Sequence, residues 1–298
     1  LNTRKWLKHW QMYMFMLPAV SYYVIFHYLP MYGLQIAFKD FKVTKGIWGS
    51  SWVGFAHIER FVNSFYFWDL LRNTLLINVY QLMLFPVSII VALSFNELKD
   101  GLYKRSVQTI TYAPHFISVV VMSGMIIAFL NPSTGIVNTV IKAFGGKAIA
   151  FMTDPAWFKS IFVLSGEWQQ LGWGAIIYLA ALSGVDPQLH EAARVDGANR
   201  LRRIWHINLP HIAPTITILL ILNFGSFMAI GFEKIYLLQN DLNLASSDVI
   251  QTYVYRSGLL NAQYSFSSAV GFFNSIINFI LLIVFNRIAK KTTETSLW

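Results

Sequence analysis

The sequence predicts an all-α membrane protein with six transmembrane helices, on three observations. Of its 298 residues, 55% are hydrophobic and only 12% charged, where a soluble domain carries about 25% charged residues. Six segments reach the roughly 20 apolar residues needed to cross about 30 Å of hydrocarbon. Lys and Arg are unevenly shared between the loops that join them.

The six segments are 11–37, 70–95, 107–130, 158–182, 214–238 and 264–288. The first follows Arg4, Lys5 and Lys8 and so imitates a signal peptide, but its apolar run continues through Phe38 with no small-residue cleavage site. It is expected to be a retained membrane helix, and one or both chain ends to be trimmed. Pro18, Pro30, Pro86 and Pro114 fall in or beside the segments; membrane helices tolerate proline because neighbours re-satisfy the freed backbone groups. Residues 38–69 are rich in aromatics, including Trp48, Trp52 and Trp68, which favour the headgroup layer, and an interfacial helix is expected there. Residues 131–157 carry turn signals at Asn131-Pro132, Gly145-Gly146 and Asp154-Pro155.

Six spans leave both termini on one side. Residues 1–10, 96–106, 183–213 and 289–298 hold 12 Lys and Arg in 62 residues, against 7 in 84 for 38–69, 131–157 and 239–263. The denser set is expected in the cytoplasm. The net charge of +9 is explained in the same way, so nucleic acid is not an expected partner. There is no cysteine, which excludes disulfides, thiolate metal sites and Cys nucleophiles. Gly146-Lys147 is followed by Ala148, so there is no phosphate-binding P-loop, and His190-Glu191 meets Arg194 where a zinc-binding H-E-x-x-H needs histidine. The histidines show no ligand spacing. No metal site and no catalytic residues are expected.

One polar island interrupts the apolar pattern, 190-HEAARVDGANRLRRIWHINLP-210. Glu191 to Ala198 is expected to form a short helix, Gly197 to make its C-terminal turn and Asn199 to cap a second helix. Leu201, Ile204, Trp205 and Asn208 follow at i, i+3, i+4 and i+7, which predicts a mainly apolar inner face, with Pro210 and Pro214 closing the segment before the fifth span. The small Ala192, Ala193 and Ala198 leave the first helix slim enough to enter a partner's groove. The alternative is a polar loop that merely anchors helices at a basic interface.

The pattern Glu191-Ala192-Ala193, Asp196-Gly197-Ala198 and Ile207-x-Leu209-Pro210 resembles the EAA loop of ABC importer permeases, here within 183–213. Gly54-Phe55-Ala56-His57-Ile58, Asn73-Thr74, Tyr112-Ala113-Pro114 and Asn131 to Asn138 are similar to the carbohydrate-uptake branch, which usually has Asn-Phe in place of His57-Ile58. The likeness covers roughly residues 50–290. Met31 to Phe38 and Gly231 to Asn240 look like a subgroup importing oligosaccharides, including aldouronates and alginate fragments. The chain therefore divides into a tail with the first helix over 1–49 and a permease core over 50–298.

The resemblance implies a type I ABC importer permease fold in the bacterial cytoplasmic (inner) membrane. It implies two ATP-binding subunits that carry ATP and Mg, none of it on this chain; a second, different permease subunit; an extracytoplasmic solute-binding protein; and a saccharide substrate. Glu191, Ala192, Ala193, Arg194, Asp196, Gly197 and Ala198 would couple to the ATPase as the loop docks in its cleft. Such permeases gate by rigid-body rocking around a midplane site. The alternatives are another solute, such as phosphate or peptide, and a non-transport scaffold.

The resemblance also puts the sugar between the helices flanking the EAA loop. Glu167 lies about mid-membrane, where a carboxylate costs about 2–4 kcal/mol and is expected to face a wet cavity. Trp168 and Trp173 would stack on a pyranose, and Gln169 and Gln170 would bond hydroxyls. Phe227, Ile230 and Gly231 fall near sugar-contacting positions of relatives, and Asn274, with Asn278 one turn on, would line the same space. Each of these sets has a packing alternative. Arg72, Lys159 and Lys234 lie near outer helix ends and would form a basic funnel for an acidic saccharide, unless they simply snorkel to the interface.

Overall fold

The computed structural model describes residues 10–292 and 295–297; the basic residues Arg4, Lys5 and Lys8 lie outside them. The chain is helical almost throughout. The main helices are α1 (Trp10–Phe38), α2 (Ala56–Val62), α3 (Phe67–Glu97), α4 (Leu102–Phe116), α5 (Val119–Phe129), α6 (Ile136–Ala143), α7 (Pro155–Leu182), α8 (Pro187–Val195), α9 (Arg200–Gly225), α10 (Phe232–Leu238) and α11 (Tyr264–Thr292). Four of them, α1, α3, α9 and α11, are long and apolar enough to cross a membrane.

Three expected spans differ. The fourth forms one continuous helix, α7, but its polar middle keeps it out of the set apolar enough to cross a membrane by length and composition. The third is not one helix: α4 and α5 meet at a 99° bend. Pro114 sits in the turn at Ala113–Phe116, and Ser118 caps α5 by accepting from the Val121 N–H, so the corner is written into the sequence as a proline and a capping serine. The fifth span begins and ends earlier than expected: its helix closes at Gly225, and Phe232–Leu238 form the separate α10. Asn199 caps α9 through the Arg202 N–H (2.8 Å), and the helix runs without a break from Arg200 to Gly225, with Pro210 and Pro214 inside it.

A shared device makes this possible. Both α1 and α9 contain one wide π turn, Val24–Tyr28 and Ile204–Asn208, and each ends two residues before a proline, Pro30 and Pro210. The Leu29 and Leu209 N–H groups reach back five residues, to Val24 and Ile204. The wider turn relieves the clash between a proline ring and the carbonyl four residues back. The inserted residue also shifts the helical phase. Asn208 is buried and Ile204 half-buried, as expected, but Leu201 and Trp205 are exposed and Arg203 is buried in their place, so half of the expected inner face is corrected.

The described residues divide into two compact units, residues 10–67 with Val254–Phe273, and Trp68–Tyr253 with residues 274–292 and 295–297. In the first, α1 presents nearly all of its apolar side chains outward. Fully buried Phe61 of α2 packs edge-on against Phe67, Phe266 and Phe273, and Arg60 lies 4.5 Å over the Phe266 ring. Lys39–Asp40 and Ser51–Trp52 form a small antiparallel pair in the aromatic loop.

The second unit holds two apolar cores. One joins α3 (Ile77), α5 (Met122, Ile126), α7 (Phe158, Phe162, Val163) and α10 (Ile235, Leu238). The other joins α3 (Ile89, Ala92), α7 (Ala175, Tyr178, Leu182) and α9 (Ile212). Side-chain amides pin the loops. Asn73 donates to the carbonyls of Ala245 and Asp248. Asn138, fully buried, donates to Leu130, Asn131 and Ile149 and accepts from the Ile149 N–H. The predicted turns form: Asn131 accepts from the Ser133 and Thr134 N–H groups, and Asp154 caps α7.

Candidate functional site

Helix α7 places the chemistry. Its two ends are apolar and packed into the two cores, while its middle carries Glu167, Gln169 and Gln170. A polar stretch between two cores cannot be packed dry without partners, and a cavity of about 450 Å³ opens there. Its walls are Gln81, Phe85 and Ser88 of α3, Glu167, Gln170, Trp173 and Tyr178 of α7, and Leu219 and Asn223 of α9, among others. Among the described residues that line it, Glu167 alone carries a charge. Glu167 and Gln170 are one turn apart, so a carboxylate acceptor lies beside an amide on one helix face.

Not every expected path residue shares this space. Gln169 is buried and donates to the Ile117 carbonyl at the α4–α5 corner (2.7 Å). Trp168 is half exposed and lies outside the cavity lining. Phe227 stacks on Phe224 at 5.5 Å. Ile230 belongs to the first core, and Gly231 precedes α10 as its N-cap. Asn274 donates to the Met228 carbonyl (3.2 Å) and Asn278 accepts from the Met228 N–H (2.7 Å). Those two asparagines brace the chain where α9 ends. The cavity residues that the sequence reading passed over, Gln81, Phe85 and Ser88, stand at i, i+4 and i+7. That is one face of a helix, and polar groups repeating on it were the available signal.

The three basic residues near the helix ends do not form a common outward surface. Lys234 is buried, donates to the Phe162 carbonyl (3.0 Å) and lies 5.1 Å from that ring's centre. Lys159 donates to Ser246 Oγ (2.6 Å). Arg72 is exposed.

The polar island forms an exposed helix–turn–helix. Asp186 caps α8 by accepting from the Gln188 N–H (2.9 Å), so the helix starts four residues before Glu191. Gly197 ends it at φ +76°. The Gly197 N–H donates to Arg194 and the Ala198 N–H to Ala193, the paired bonds of a Schellman turn. No L-residue takes that φ without strain. Glu191, Ala192, Arg194, Asp196 and Gly197 are exposed, and Ala193 and Ala198 are half-buried. Leu189, Val195, Leu201 and Trp205 leave more than half of their surface open, Val195 as much as 90%, an apolar surface of the kind that marks an interface. Among the described residues no three His, Asp or Glu side chains gather to hold a metal ion.

Residues 85–294 match the family described as binding-protein-dependent transport system inner membrane component. The chain is 43% identical over 299 residues to protein LplB of Bacillus subtilis (strain 168), covering all of this chain and 92% of that one. It is 43% identical over 288 residues to the polygalacturonan/rhamnogalacturonan transport system permease protein YteP of the same organism, covering 96% and 90%. Among solved structures, it superposes with TM-score 0.91 and 37% identity, over 99% of both chains, on a chain of a bacterial alginate ABC transporter in complex with alginate pentasaccharide-bound periplasmic protein.

Proposed function

This chain belongs to the binding-protein-dependent transport system inner membrane component family, and we propose that it forms one half of the path for a uronate-containing oligosaccharide. An extracytoplasmic binding protein delivers the saccharide, and two separate ATP-binding subunits drive transport with ATP and Mg. A second permease subunit, of different sequence, supplies the other half of the path, and both termini face the cytoplasm. The substrate class is supported by the relatives that handle polygalacturonan, rhamnogalacturonan and alginate.

The observation that carries the reading is the cavity between the two cores, with Glu167, Gln170 and Trp173 on one helix face and Gln81 and Asn223 opposite. Glu167 accepts from sugar hydroxyls, Gln170 donates, and the indole offers an apolar face to a ring. The exposed α8, with its glycine turn, docks in the ATPase. ATPase closure then moves α9, which leaves the same turn at Arg200 and runs unbroken to Gly225, and so moves a cavity wall. The test is ATP-dependent uptake of trigalacturonate and of an alginate trisaccharide by proteoliposomes holding the full complex. Uptake of either above that of a neutral trisaccharide is expected; uptake of neither would reject the substrate class.

A further inference from the structure

We propose that His115, at the α4–α5 corner, is a positioning residue that aims Gln170 and Trp173 at the saccharide. The inference rests on reading the cavity as part of the transport path. His115 does not line the cavity, yet it touches two residues that do. Its imidazole lies parallel to the Trp173 indole, with centroids 4.2 Å apart and 1° between the planes. Its Nδ1 lies 3.0 Å from Gln170 Oε1. A carboxamide oxygen only accepts, so Nδ1 donates. That bond occupies the oxygen of Gln170 and leaves its amide nitrogen, a double donor, unbonded among the described residues.

One ring thus does two things. It covers one face of the indole, leaving the opposite face for stacking, and Phe116 closes on the same indole edge-on at 5.9 Å. It also sets the polarity of Gln170, so an acceptor, Glu167, and a donor, Gln170, stand side by side. Such a pair suits a sugar hydroxyl next to a ring oxygen or carboxylate. Holding a long glutamine in place beforehand removes its ordering cost from the binding step. The corner is itself tied to α7 by the Gln169 bond to Ile117 (2.7 Å) and by Gly172, where any Cβ would collide with the Thr111 carbonyl. A shift of the corner therefore re-aims both residues.

The test measures KM and Vmax for uptake in proteoliposomes holding the full complex, with the loaded binding protein varied. The probe is trigalacturonate or the alginate trisaccharide, whichever the wild type carries faster. Gln170→Ala is expected to raise KM. His115→Phe keeps an aromatic ring but removes the donor. It should raise KM about three- to ten-fold, the effect of one hydrogen bond, with Vmax within about two-fold. The double variant should add little to either single change, and His115→Asn, whose amide nitrogen is bonded to Cγ as Nδ1 is, should restore most of the KM. ATP hydrolysis stimulated by the binding protein reports correct assembly. If His115→Phe does not assemble, His115→Leu, which has no donor, replaces it with the same two outcomes. An unchanged KM in the His115 variant beside a raised KM in Gln170→Ala would overturn the inference and leave the cavity reading standing. An unchanged KM in Gln170→Ala would overturn both.

Discussion

The exposed element at α8 and the cavity beside α7 are built in opposite ways. The element is local: a cap at Asp186, a glycine turn at Gly197 and a cap at Asn199 lie within 14 residues. Its apolar side chains point away from the chain's own core. The cavity is the reverse. Its walls come from Gln81, Glu167 and Asn223, far apart in sequence, and two cores hold them in place. A surface read by another protein needs its residues in a fixed local order. A surface read by a small ligand needs only that distant side chains converge. The first is a motif and the second is a result of packing.

Substitutions can break this division. Gly197→Val forces a β-branched residue into the left-handed region, at a cost of about 1–2 kcal/mol or more, and destroys the Schellman turn. ATP hydrolysis stimulated by the binding protein should fall more than about ten-fold, while the chain still reaches the membrane. Next in size is Gly172→Leu, which drives a side chain into the Thr111 carbonyl and Tyr112. Overpacking of this kind costs about 1–3 kcal/mol, and a lower melting temperature of the purified complex would register it. Glu167→Gln removes the charge that lines the cavity. The uptake ratio of trigalacturonate to a neutral trisaccharide should rise several-fold, because a carboxylate no longer faces the uronate.

The smallest effect is expected at Asp100, outside the helices. Its hydrogen bond and ion pair with Lys104 (2.8 Å) hold its carboxyl below the ordinary carboxylate value. Such a group adds stability above its unfolded pKa and loses it as pH falls through the lower folded value. Asp100 is fully exposed, and water screens the pair. Asp100→Asn should therefore leave the melting temperature unchanged from neutral to mildly acid pH.

The same contrast governs what was legible beforehand. The helix spans α1, α3 and α11 follow from apolar length alone, and the EAA pattern identified the exposed element to within a few residues. Two features escaped because they depend on long-range or cooperative geometry. The π turn before Pro210 let α9 run through a proline that reads locally as a stop, and it turned Trp205 outward. The 99° corner split an apolar run that composition cannot distinguish from a straight helix. Within the cavity, Glu167, Gln170 and Trp173 were legible as polar and aromatic groups in an expected membrane segment. Gln169 and Asn274 carry the same chemistry but bond backbone carbonyls. Only the packing separates the two kinds.

The central claim is that force enters at α8 and the saccharide is read at α7. It is tested most directly by measuring ATP hydrolysis and saccharide uptake together, in the same proteoliposomes, for Gly197→Val and Gln170→Ala. Gly197→Val should lose both activities at every concentration of loaded binding protein. Gln170→Ala should keep its maximal hydrolysis and regain uptake as that concentration rises. Saturable rescue of Gly197→Val, or hydrolysis abolished in Gln170→Ala, would contradict the account.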